Sequence, residues 1–291
     1  MNAITAKGLT KYYGKSRGIV DVDLAIPEGD FFGFIGPNGA GKSTTIRTLL
    51  GLIAPSSGTA EIFGQDIRRD RENILTQVGY MPSEAAFYDG LRVGELIRFS
   101  ARLRGIDCGR EAESLCRRLE LDTEKKIREL SLGNRKKVSI VCALQHRPKL
   151  YILDEPTSGL DPLMQREFYE LLQERNGDGA TIFLSSHVLS EVQRYCGHAA
   201  VIRAGRILAV DSIENLGDAH AKRVVLRGID APPALENIRD IKAGGDSVSF
   251  LYSGAPGVLL RTLSELPMTD VQISEPDLEE VFMHYYTQED A

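Results

Sequence analysis

An α/β fold with a parallel sheet around a glycine-rich loop is what this sequence predicts, on three observations. Phe31 to Leu50 reads FFGFIGPNGAGKSTTIRTLL, an apolar run, a glycine-rich turn, then Ile46, Leu49 and Leu50 at helical spacing; that is strand, loop, helix. LYILDE at 150–155 is an apolar run ending in two acidic residues, the form of a buried parallel strand whose C-terminal edge faces a ligand crevice. Ala180 to Ser185 is another apolar run with His187 just beyond it, where a third parallel strand emerges beside the glycine loop.

Gly36, Gly41, Lys42 and Ser43 fit G-x-x-x-x-G-K-[ST], and each position has a task in holding a nucleotide polyphosphate. Gly36, Gly39 and Gly41 let the backbone turn tightly so that successive N–H groups face the phosphates. The helix that follows adds its positive end. Lys42 brings a cation to the terminal phosphates, and the Ser43 hydroxyl is a ligand for Mg²⁺, which takes near-octahedral oxygen donors.

The chain has 291 residues, 42% hydrophobic and 26% charged, enough for one large domain or two smaller ones with a packed core. A net charge of −6 argues against a general nucleic-acid surface, though not against a local basic pocket. Cys108, Cys116, Cys142 and Cys196 lack C-x-x-C pairing and read as reduced core thiols. No run of 18 consecutive apolar residues and no signal-peptide pattern occurs, which predicts a cytosolic chain that does not span a bilayer alone.

Ile4 to Leu9 and Val20 to Ile26 read as two antiparallel strands joined by a loop, KYYGKSRG, in which Tyr13 is either a half-buried loop residue or a ring for stacking on a base. Thr59 to Phe63 and Gln77 to Met81 are further strands. From Val93 to Gln145 the pattern is helical, with Ala112, Leu115, Cys116 and Leu119 on one face, a helical insertion into the α/β core.

At 130–134, LSLGN has Ser131 as an N-cap and Gly133 at the mouth of a helix, a second potential anion site. Lys136 and Lys137 read as a solvated basic face rather than as phosphate ligands. Asp154 is expected to hold Mg²⁺ through water, and Glu155 to reach a water in line with the γ-phosphate. In TSGLDP, Asp161 is an N-cap and Pro162 the first helical residue. His187 is a structural histidine by its residue type and a site histidine by its position beside Asp154.

In this order and spacing, GPNGAGKST, LSLGN, LYILDEP, SGLD and SSH resemble the nucleotide-binding subunit of an ABC transporter over residues 1 to about 215. The resemblance implies a P-loop NTPase core (1–215) with an N-terminal antiparallel β subdomain and a helical insertion at about 86–148. By position, Tyr13 matches the adenine-stacking aromatic, and Gly36, Pro37, Asn38, Gly39, Ala40, Gly41, Lys42, Ser43 and Thr44 the Walker A motif. Asp154 and Glu155 match the Walker B aspartate and the catalytic base, Asp161 the D-loop, and His187 the switch histidine. Ser131 and Gly133 match the signature motif, which in the family binds the γ-phosphate held by the opposite subunit. A homodimer with two ATP molecules between its protomers is therefore implied. Ser43 and Asp154 would be the metal residues, with ATP and Mg²⁺ as cofactors.

Two positions depart from the family. Leu132 and Asn134 replace a glycine and a glutamine of the signature. Ser83 stands where the family has a glutamine that reaches Mg²⁺ and the attacking water; either Glu84 takes part of that role, or coupling relies more on His187 and water. These departures, and the tail, resemble ATPase subunits of ABC-2 type exporters.

Residues 216–291 read as a small α/β extension. Val224 to Leu226, Ser247 to Tyr252 and Asp270 to Ile273 are strands, Leu259, Leu263 and Leu266 mark a helix, and Leu278, Val281, Phe282 and Tyr285 share one face of a last one. The function implied is ATP hydrolysis that drives a separate transmembrane permease subunit for export, on the cytoplasmic face of the cell membrane, with no nucleic acid partner. The alternative is a soluble ABC ATPase acting on DNA or ribosomes. Phe87, Tyr88 and Leu91 are the expected apolar contact for the membrane partner.

Overall fold

The computed structural model describes residues 1–84, 86–216 and 222–274. The chain divides into two units, Met1–Val210 and Asp211–Ala291.

The first unit opens with two long antiparallel strands, β1 (Asn2–Tyr13) and β2 (Ser16–Pro27). Their alternation buries Ile4, Leu9, Val22, Leu24 and Ile26 on one face, as expected for a sheet with one covered side. The predicted loop at 11–18 is corrected: the strands run on to a tight turn in which Gly14 takes φ +59° and Tyr13 pairs with Ser16. Tyr13 is therefore a strand-end residue. Polar side chains in KYYGKSRG hid the ladder, because a hairpin end out in solvent needs no apolar alternation. With β4 (Ser57–Ile62) and β5 (Gln65–Asp66) these strands form a sheet of order β2-β1-β4-β5.

The second sheet has the order β10-β9-β3-β8-β7-β6. Strands β3 (Phe31–Ile35), β6 (Val78–Met81), β7 (Leu150–Asp154), β8 (Thr181–Ser186) and β9 (His198–Arg203) are parallel. β10 (Arg206–Ser212) returns after a turn at Ala204 and Gly205, both at positive φ. Every residue of β3, β7 and β8 is buried, which accounts for their unbroken apolar runs. Helix α1 (Lys42–Leu49) puts Ile46 and Leu49 into the core shared with both sheets, and α2 (Arg71–Thr76) adds Ile74. The rings of Phe34 and Phe183 meet there at 5.3 Å.

Between β6 and β7 lie α3 (Val93–Leu103), α4 (Gly109–Arg118) and α5 (Leu132–Leu144). Ala112, Leu115 and Cys116 are buried on α4. Ser131 caps α5, its hydroxyl accepting from the Asn134 N–H at 3.3 Å. Helix α6 (Pro162–Gly177) buries Phe168, Leu171 and Leu172, and α7 (Leu189–Tyr195) follows β8. Burial pushes the Cys142 thiol up to about 12, so it stays protonated. No described helix is long and apolar enough to cross a membrane.

The second unit holds α8 (Ile213–Leu216), strands β11 (Lys222–Arg227), β12 (Ile238–Gly244), β13 (Ser247–Tyr252) and β14 (Asp270–Ser274), and α9 (Pro256–Ser264). Its antiparallel sheet has the order β12-β13-β11-β14. Val224, Leu226, Phe250, Leu259 and Leu263 form its core. Strand β12 is absent from the sequence reading because it is a largely exposed edge strand with little apolar alternation. Leu266 lies past the end of α9 yet packs on this core. The proposed last helix, with Leu278, Val281, Phe282 and Tyr285, lies outside the described residues.

Candidate functional site

The order β3-β8-β7 brings three strand ends side by side, so the segments leaving them converge at one C-terminal sheet edge, the usual crevice of an open α/β sheet. The glycine loop leaves β3, Asp154 ends β7, and His187 follows β8.

In the loop, Gly39 and Gly41 adopt φ +80° and +114°, values that a side chain would strain. Gly36 is required for a different reason: a Cβ there would lie 2.3 Å from the Ile202 carbonyl. Ala40 is buried and accepts from the Gly205 N–H at 2.8 Å, which ties the loop to the β9–β10 turn. Lys42 folds back over the loop. Its ammonium donates to the Gly36 carbonyl at 2.6 Å and lies 3.0 Å from Glu155 Oε1.

Asp154 is fully buried. The Ser185 hydroxyl donates to its Oδ1 at 2.6 Å, while Oδ2 is buried with no hydrogen-bond partner. An orphaned carboxylate oxygen in that setting is costly, and a hard cation is the partner it suits. Ser43 lines the adjoining pocket, so hydroxyl and carboxylate fit an Mg²⁺ ion.

Glu155 is directed by its backbone. It sits at φ +49°, rare for a side-chain-bearing residue, held by bonds from its N–H to the Ser185 carbonyl (3.1 Å) and hydroxyl (3.2 Å). Its second oxygen is 2.6 Å from His187 Nδ1.

Lys42, Ser43 and Glu155 open on a cavity of about 300 Å³ that Tyr13, Pro37, Asn38, Gly39, Gly41 and Thr44 also line, whereas Gly36, Ala40, Asp154 and His187 do not line it. Arg17, Gly18 and Ser83 also line it. Tyr13 is 47% exposed, with Lys11 Nζ 5.4 Å from its ring centre. Arg17 carries one signal in the sequence, a cation that falls at the start of β2, upstream of the glycine loop.

Ser131, Gly133 and Asp161 do not line this cavity. Ser131 is exposed and Leu132 is 72% exposed. Gly133 is close to the SGLD segment, where a Cβ would come within 2.8 Å of the Gly159 carbonyl. Asp161 is exposed and caps α6, accepting from the Met164 N–H at 3.0 Å.

The solvated basic face is corrected. Lys136 is 5% exposed and Lys137 is buried as well, because α5 is enclosed along most of its length. Lys136 donates to the Ser83 carbonyl at 2.8 Å.

Residues 19–158 match the family model described as ABC transporter. The bacitracin transport ATP-binding protein BcrA of Bacillus licheniformis is 34% identical over 96% of each chain. This chain belongs to the ABC transporter ATP-binding proteins. The Nod factor export ATP-binding protein I of Cupriavidus metallidurans is 32% identical over 95% of each chain. A solved ATP-binding subunit of an ABC transporter is 33% identical, with TM-score 0.69, covering 74% of this chain and 91% of that one. The P-loop NTPase fold is thus that of the family. Relatives matched end to end are transporter subunits, so the soluble alternative acting on DNA or ribosomes is not favoured.

Proposed function

We propose that this chain is the Mg²⁺-dependent ATPase subunit that drives a separate transmembrane exporter subunit from the cytoplasmic face of the membrane. The observation that carries the reading is one cavity joining Lys42, Ser43 and Glu155, with the orphaned Asp154 oxygen beside it. Gly36 to Thr44 bind the phosphates through backbone N–H groups and the Lys42 charge. Tyr13 offers its exposed face to the base. Ser43 and Asp154 hold Mg²⁺, which when bound offsets the negative charge of the β- and γ-phosphates. Glu155 takes a proton from the attacking water, and His187, hydrogen-bonded to it, orients that carboxylate.

Ser131 and Gly133 act on the ATP of a second copy. Ser131 is exposed, Gly133 is half-buried and neither lines the chain's own cavity, which supports this, since backbone N–H groups at a helix mouth suit an anion brought by another protomer. Asp161, which aims α6 from the segment beside Gly133, belongs to the same interface. Every residue assigned to ATP lies in the proposed nucleotide-binding domain, residues 1–215, and none in the extension, residues 216–291. Export is supported by likeness to transport and export subunits along the whole chain.

Phosphate release by the purified protein tests this. Turnover of ATP that stops on adding EDTA and returns with Mg²⁺ is expected; turnover indifferent to Mg²⁺ contradicts the metal assignment.

A further inference from the structure

Lys136 belongs to no motif, yet it is more deeply buried than most lysines ever are. It lies on α5, beyond the Ser131 cap, and its ammonium donates to the Ser83 carbonyl at 2.8 Å. Ser83 follows β6 and forms part of the wall of the cavity that holds Lys42 and Glu155. One side chain therefore spans from the helix carrying Ser131 and Gly133 to the wall of the ATP cavity. Its surroundings are acidic: burial lowers its pKa, and the carboxylates of Asp154, Glu155 and Glu84 pull it back toward charge. A buried ammonium costs stability unless it is bonded and paired, and a Met or Leu would fill the space without that cost. The site retains a charge that bulk packing does not require.

We propose that Lys136 is a positioning residue, a charged strut that fixes the Ser83 segment to α5, so that displacement of the Ser131 end of α5 moves the cavity wall. It builds on the function proposed above: an event at the interface end of α5 would reach the chain's own ATP through this bond. Serine has no long side chain with which to make the link itself, so the contact is made through its backbone carbonyl.

The test uses Lys136→Met, which keeps the aliphatic stem and loses donor and charge, and Lys136→Arg, which keeps both, in the full chain. Amide hydrogen exchange at peptides covering Ser83 reads the strut itself and should quicken in Lys136→Met. That variant should also lose about tenfold in kcat, with KM for ATP within about twofold of the parent and an unchanged Tm. Lys136→Arg should recover most of the loss. Unchanged exchange overturns the strut. So does a parental kcat, or a rise in KM together with a lower Tm, which marks a packing role alone. A parent protein without turnover contradicts the proposed function instead, and exchange at Ser83 then decides the strut.

Discussion

The Lys42 ammonium lies 3.0 Å from Glu155, the residue assigned as base, and His187 Nδ1 lies 2.6 Å from that carboxylate's other oxygen. Both Lys42 and Glu155 are shielded, at 6% and 15% exposure, so the pair is screened less than a surface ion pair while both charges bear the cost of leaving water. The cation proposed to meet phosphate is thus in contact with the carboxylate proposed as base. On the function proposed above, a bound phosphate would compete with Glu155 for Lys42.

Glu155→Gln should lose roughly 10²-fold or more in turnover. Its affinity for ATP should be parental or higher, because a neutral amide holds Lys42 less tightly. Single-turnover hydrolysis with equilibrium binding checks both, and hydrolysis at the parental rate would remove Glu155 from the role of base. Lys42→Ala should do the opposite and weaken binding itself, through loss of the cation at the β- and γ-phosphates.

Gly133→Ala should slow turnover while leaving nucleotide affinity near parental. The added Cβ lies 2.8 Å from the Gly159 carbonyl, a backbone atom that yields only by shifting the SGLD segment; such overpacking costs about 1–3 kcal/mol. Steady-state kinetics with a binding isotherm separates the two effects. A parental kcat would mean that the spacing of these two segments does not matter to the reaction.

His146 gives a pH dependence of folding. Burial, with Arg104 nearby, lowers its pKa from 6.5 to about 4, against a smaller opposing pull from its bond to the Val78 carbonyl. The unfolded chain takes up a proton near 6.5 and the folded chain does not until about 4. The stability this contributes is complete above 6.5 and is lost as pH falls through that window. Urea unfolding at pH 7 and pH 5 should show a smaller decline for His146→Gln than for the parent.

Phe87→Ala combined with Tyr88→Ala should reduce recovery of a complex with the membrane subunit, while nucleotide binding stays near parental. Tyr88 is 69% exposed and meets Phe99 edge-on at 6.4 Å, so an apolar surface is on offer there, whereas Phe87 and Leu91 are half-buried. Co-purification is the measurement. Unchanged recovery removes this patch from the docking surface, and lost nucleotide binding shows that the rings pack the loop.

Parallel strands β3, β7 and β8 were legible because burial on both faces writes an uninterrupted apolar run, and the glycine loop because its backbone tolerates so few residues. Gly14 and its neighbours read as a loop in the sequence, since a solvent-exposed hairpin end carries no apolar pattern. Lys136 reads as solvated because a helix interior to the fold still shows its charges in sequence, and burial is decided by what packs over it. Asp154's orphaned oxygen, the left-handed backbone at Glu155 and the Lys42–Glu155 pair depend on atoms from separate strands, which one-dimensional spacing does not carry.

In the arrangement proposed above a second copy completes the site, with Ser131 and Gly133 of one protomer on the ATP of the other. Light scattering of Glu155→Gln measures it most directly. With saturating ATP and Mg²⁺ the protein should run at twice the monomer mass, and with ADP it should return to monomer. A monomer under saturating ATP, with nucleotide shown to be bound in the same sample, would rule out the two-copy site.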